Sequence, residues 1–214
     1  MTCERLVIVA GVFMMLVAAL VGCRSVPPPV SQTVTVSSSW PALTVPADVQ
    51  RLAVFYPQSS SREYSEAYHR LEGAVFQLKV SRPRLTIVDR FNVPTVMTEL
   101  RFQHGGAVTE DTAMRVGHLL GVDSVLLYAI QGPTLTDRIT ARRLSQVRPI
   151  TITTKIIRVE SAEVVYLDVV MARMQDHGYG DRWLFDNLDY AQLSREALER
   201  SITQTVVDLE RAFQ

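Results

Sequence analysis

Short, nearly continuous apolar runs alternate along this chain with longer stretches in which apolar residues recur every third or fourth position. Arg51-Leu52-Ala53-Val54-Phe55-Tyr56, closed by Pro57, has the pattern of a buried strand. Tyr64, Tyr68, Leu71, Val75 and Leu78 fall on one face of a helix. Leu85–Val88 predicts a second strand, entered through Pro83. Asn92 can cap a helix that carries Pro94 in its first turn and turns Val96, Met97 and Leu100 inward. Gly105-Gly106 breaks it. Thr109 can cap the next helix, with Glu110 and Asp111 in the first turn, Ala113, Val116, Gly117 and Leu120 as packing face, and Gly121 as stop. Ser124–Ile130 is almost wholly apolar and predicts a strand covered on both faces. Gln131–Pro149 is polar and reads as a long loop or ragged hairpin. Ile150–Ile157 and Val164–Met174 predict two further strands, and the short link Glu160-Ser161-Ala162 makes them an antiparallel hairpin. A loop holding Tyr179, Trp183, Phe185 and Tyr190 leads to a last helix with Leu198, Ile202, Val206, Leu209 and Phe213 on its apolar face and a Glu196–Arg200 pair. Helices interleaved with strands and followed by a hairpin predict an α/β fold. The expectation is a single α/β/α sandwich with a mixed sheet of about five strands and helices on both faces.

The pattern differs at the N-terminus. Leu6–Val21 is an apolar run of about 16 positions behind Arg5, shorter than the roughly 20 that span a bilayer comfortably. It ends in Leu20-Val21-Gly22-Cys23. A basic residue, an apolar region and small residues at a cut site make a secretory signal, and the cysteine in last place resembles the lipobox of bacterial lipoproteins. That resemblance implies cleavage before Cys23, acyl chains on Cys23 and a mature chain held to a membrane. Arg24 stands where an inner-membrane retention signal has aspartate, which favours the outer membrane. Arg24–Pro46 contains Pro27-Pro28-Pro29, Ser37-Ser38-Ser39, Pro41 and Pro46, and this density predicts a flexible tether. The predicted layout is therefore a signal peptide over 1–22, a lipidated tether over 23–47 and one folded domain over 48–214.

Composition narrows the function classes. Lys+Arg and Asp+Glu both number 22, and net charge is zero, so no basic surface for nucleic acid is expected. The only cysteines are Cys3, in the leader, and Cys23. The mature domain then has no disulfide, and its apolar core must hold it. His69, His104, His118 and His177 lack zinc-ligand spacing, and no serine stands in a Gly-x-Ser-x-Gly elbow. Asp89-Arg90 at a strand end is read as a turn aspartate with a local ion pair. No cofactor, metal, catalytic residue or small-molecule substrate is expected. Contact chemistry concentrates in the aromatic loop (Tyr179, Trp183, Phe185) and in Arg142-Arg143. These are the expected surfaces for another envelope protein or a second copy of the chain; the alternative for Trp183 and Phe185 is that they cover the sheet edge beside the last helix.

The order of elements, with Leu52-Ala53-Val54-Phe55, Val88-Asp89-Arg90, Glu99-Leu100, the Gly117–Asp123 stretch and Ile156-Ile157-Arg158-Val159 at the junctions, resembles the domain of the curli-secretion-channel (CsgG-like) lipoproteins. These include activators of penicillin-binding proteins. The resemblance implies a non-enzymatic outer-membrane lipoprotein, its domain in the periplasm, acting as an adaptor, assembly or regulatory module for envelope machinery. The alternative it offers is a subunit of an oligomeric secretion pore. A pore needs two inserted membrane hairpins with alternating lipid-facing residues. Gln131–Arg148 carries Asp137, Arg138, Arg142, Arg143 and Arg148, and Met174–Leu193 is short and carries Asp176, Asp181, Arg182, Asp186 and Asp189, so neither suits a barrel wall.

Overall fold

The computed structural model describes residues 31–38, 43–57, 61–88, 110–177 and 188–214. Six strands form one sheet in the order β1-β6-β5-β4-β2-β3. They are β1 (Ser31–Ser38), β2 (Arg51–Phe55), β3 (Thr86–Val88), β4 (Ser124–Gln131), β5 (Ile150–Arg158) and β6 (Val164–His177). β2 lies parallel to β3 and β4, whereas β4, β5, β6 and β1 run antiparallel in succession. The helices are α1 (Arg62–Ser81), α2 (Glu110–Leu119), α3 (Leu135–Thr140) and α4 (Leu188–Ala212). The helix expected from Asn92, with Val96, Met97 and Leu100, lies outside the described residues, as do Asp89-Arg90 and Thr109.

The two helix-bearing faces follow from strand alternation. Leu52, Val54, Leu126, Ile152, Ile156, Tyr166 and Val34 point to the face covered by α1 and α4, where Leu71, Val75, Leu78, Leu198, Ile202, Leu209 and Phe213 meet them. Ala53, Phe55, Val125 and Ile157 point to the other face, against Ala113 and Val116 of α2. Helix α2 lies close to the sheet because Gly117 has no side chain. A Cβ there would stand 2.7 Å from Val125 Cγ1 and 2.8 Å from Val159 Cγ2. Gly121, at φ +62°, turns the chain out of α2 as its position predicts. In the β5–β6 turn Ala162 takes φ +57°, a left-handed conformation that favours glycine.

The sequence expectation needs correction at the N-terminal side. Residues 31–38, assigned above to the tether, form β1 and pair with β6 from Ser31↔His177 to Ser38↔Val170. The sheet thus has six strands where about five were expected. The physical reason is a Thr33-Val34-Thr35-Val36 alternation of β-branched residues. It places Val34 in the core at 5% exposure and Val36 partly behind it. Ser38 Oγ donates to Asp168 Oδ1 at 2.7 Å, and Arg200 of α4 donates to the Val34 carbonyl at 3.0 Å. The segment leading to β2 is also anchored at two points. Val45 and Val49 are buried, and Val45 N–H donates to the Ala212 carbonyl at 2.8 Å.

A buried polar row crosses the sheet beneath α4. Tyr128, Thr154 and Asp168 lie side by side on β4, β5 and β6, and all three are buried with Thr205 and Asp208 of α4. Burial, reinforced by the Asp208 carboxylate, pushes the Asp168 carboxyl above the usual carboxylate range, while the Ser38 hydroxyl opposes the shift. A raised native-state pKa means that ionised Asp168 costs stability at neutral pH. The cost vanishes below the unfolded-state value, where both states are protonated. Asp168→Asn is therefore expected to raise the melting temperature at pH 7.5, with a gain that shrinks as pH falls through the carboxylate range. Thermal melts from pH 4 to 8 check this; a variant destabilised equally at every pH would contradict it.

Candidate functional site

Strand register brings the cationic segment and the N-terminal entry to one end of the sheet. β4 ends at Gln131, opposite Thr151 near the start of β5. Ile150 pairs with Ala172, and β6 runs on to His177, opposite the first residue of β1. Ser31, the β4–β5 connection and the start of α4 therefore share that end. Three strand spacings of about 4.8 Å separate β1 from β4, or roughly 14 Å.

The β4–β5 connection is folded, not the open loop or ragged hairpin its polarity suggested. Thr134 and Asp137 form a capping box: Thr134 N–H donates to Asp137 Oδ2 at 2.9 Å, and Asp137 N–H donates to Thr134 Oγ1 at 3.1 Å. The Thr134 N–H and the Thr134 hydroxyl, which also donates to Asp137 Oδ2 at 2.8 Å, hold the Asp137 carboxyl below its ordinary range, with the Arg148 guanidinium 3.5 Å away adding to the effect. Helix α3 follows and buries none of its residues. A 3-10 turn, Leu144–Gln146, then pins the segment down through Leu144 and Val147, which are buried in the core. Arg142 N–H donates to Gln146 Oε1 at 2.8 Å. Gly132 leaves room for the Tyr64 hydroxyl of α1, which a Cβ there would push aside.

What this end presents is mixed. Leu135 and Ile139, one helical turn apart on α3, are 65% and 53% exposed. Arg138, Arg142, Arg143 and Arg148 of the same segment are exposed as well. Arg138 lies 5.9 Å from the ring centre of Tyr190, a residue expected in the loop but placed in the first turn of α4. Burial pushes the Tyr190 hydroxyl up, and Arg138 opposes that shift. Of the residues singled out in the sequence, Arg142 and Arg143 belong to this surface. Cys23, Tyr179, Trp183 and Phe185 lie outside the described residues. Leu135 and Ile139 escaped the sequence reading, although Thr134-x-x-Asp137 ahead of Ile139 is a helix-start signal that could have found them.

Elsewhere, a recess of about 200 Å³ opens where the strand order reverses between β2 and β4, beside Phe55, Pro57, Leu127 and Ala129. Lys155, at its wall, is neutralised by Glu110 of α2 at 2.5 Å. Among the described residues no cluster of His, Cys, Asp or Glu could hold a metal ion, and no helix is long and apolar enough to cross a membrane.

No protein-family model and no curated protein matches the chain. Among solved structures it is similar to the LpoB C-terminal domain from Escherichia coli, at 15% identity over 57% of this chain and 82% of that one, with a TM-score of 0.39. It is similar also to a minor lipoprotein from Acinetobacter baumannii (10% identity, 78% and 94% covered, TM-score 0.35). A third likeness is to the PelC dodecamer from Paraburkholderia phytofirmans (12% identity, 80% and 96% covered, TM-score 0.34). At such identities and scores these likenesses leave the function of this chain to be argued from its own residues.

Proposed function

We propose that this chain is a non-enzymatic envelope lipoprotein of the CsgG-like kind. It matures at Cys23, is held by acyl chains to the periplasmic face of the outer membrane, and uses its α/β domain as an adaptor or regulatory module toward other envelope proteins. The observation that carries the reading is the Leu20-Val21-Gly22-Cys23 stretch behind an apolar run, with Arg24 after it. One acyl chain binds a bilayer only marginally, so two or three on one cysteine are what would fix the protein there. The fold of the β4–β5 connection into α3 and a 3-10 turn supports the adaptor over the pore, since a pore would place a membrane hairpin there.

Metabolic labelling with palmitate tests the anchor. The wild-type chain is expected to take up label and fractionate with membranes, and Cys23→Ser is expected to lose both properties. An unlabelled wild-type chain, with unchanged fractionation of the variant, would refute the anchor.

A further inference from the structure

We propose that the arginine-bearing end of the sheet is a docking face for an anionic lipid bilayer, the same bilayer that holds Cys23; this rests on the reading of Cys23 as the acylated residue. Position and chemistry both point there. Only residues 24–30 lie between Cys23 and β1. Eight extended steps reach at most about 28 Å, so the end of the sheet that receives the chain stays close to the lipid surface. That same end carries α3 and the 3-10 turn.

The surface on this end has the composition of an interfacial element. Leu135 and Ile139 stand exposed on a helix that buries none of its own residues, while Arg138, Arg142, Arg143 and Arg148 stand exposed along the same segment, where Asp137, 3.5 Å from Arg148, is the one acidic residue. Apolar side chains that enter the headgroup boundary beside arginines that pair with anionic headgroups are the two forces that hold an amphipathic helix in the plane of a membrane. Leu144 and Val147 hold the segment rigidly on the core, so docking would fix the orientation of the whole domain. The opposite end of the sheet also exposes single apolar residues, Val80 of α1 at 79% and Leu119 of α2 at 68%, and supplies an internal control.

The test uses the full acylated protein in vesicles of phosphatidylcholine, alone or with phosphatidylglycerol. In the lipidated protein Cys23 is blocked and Cys3 has been removed with the leader. Ile139→Cys or Val80→Cys therefore adds one thiol for a polarity-sensitive fluorophore. The expected result is a blue-shifted, brighter signal from position 139 in phosphatidylglycerol vesicles only, and an aqueous signal from position 80 in both. The double substitution Arg142→Glu/Arg143→Glu is expected to weaken the response by about fivefold or more for each arginine, and added salt is expected to weaken it too. An aqueous signal from 139 in every vesicle, in protein that floats with them, would overturn the docking face and leave the anchor standing. So would a signal that shifts equally without anionic lipid, or only when a second protein is added. Failure of the wild-type chain to float at all would overturn the anchor reading and this proposal with it.

Discussion

Replacing residues 31–38 by eight glycine and serine residues is expected to destabilise the domain by on the order of 5 kcal/mol. The sum has identifiable parts. Burying a valine is worth about 1.5–3 kcal/mol, and Val34 is 5% exposed. A hydrogen bond to a charged group is worth about 1.5–3 kcal/mol, and Ser38 gives one to the buried Asp168. Loss of the strand also uncovers the edge of β6 and frees Arg200 from the Val34 carbonyl. Against a typical total of about 5–15 kcal/mol, the replacement brings the domain near its threshold. Urea unfolding of both chains measures it. A tether of unchanged length would leave the midpoint where it was, so an unshifted midpoint would restore the tether reading.

The second large effect is expected at Arg82, just beyond α1. Its guanidinium donates to three backbone carbonyls, Val45 at 2.6 Å, Pro46 at 3.0 Å and Phe213 at 2.9 Å. It also lies 4.9 Å from the centre of the Phe213 ring. One half-buried side chain thus ties the segment leading to β2, the end of α1 and the end of α4. It also supplies positive charge where the carbonyls of α4 end. Arg82→Ala should cost about 3 kcal/mol, since each charge-assisted bond is worth roughly 1.5–3 kcal/mol when buried and less when partly solvated. Arg82→Lys should recover under half of that, because an ammonium cannot present a planar fork to three acceptors. Denaturant unfolding of the three proteins checks the order. A loss below about 0.5 kcal/mol for the alanine variant, the size of an ordinary surface change, would mean that the fork contributes little.

Where one residue pattern dominated, the fold could be read from the sequence. Tyr64 to Leu78 and Leu198 to Phe213 each keep a single helical face over several turns, and both helices are present with those faces turned to the core. Ser124–Ile130 and the hairpin strands are apolar enough to be unambiguous. On β4, Leu127 and Ala129 are only half-buried, Leu127 against the cluster that α2 forms with the sheet. β1 was missed because four alternating residues lie between a proline run and a serine run. Its stability comes from β6 and α4, which local composition does not report. α3 was missed for the opposite reason. It is short, exposed and polar, and it is held by one capping box and by Leu144 and Val147 beyond it.

The site was legible only in part. Arg142 and Arg143 were visible as charges, but the apolar pair beside them gained meaning only when register put α3 and Ser31 at one end of the sheet. The change in tether length matters most for the proposed anchor. A linker of some 23 residues would let a domain roam roughly 75 Å from the bilayer at full stretch, whereas the seven residues 24–30, with Cys23 acylated as proposed, would hold it near the surface. That places the weight of the account on Cys23.

Intact-mass and N-terminal peptide spectrometry of the protein extracted from membranes tests this most directly. The predicted result is a chain that starts at Cys23 and carries a diacylglyceryl group on its sulfur. A chain that still starts at Met1, or one in which Cys23 is a free thiol, would contradict it.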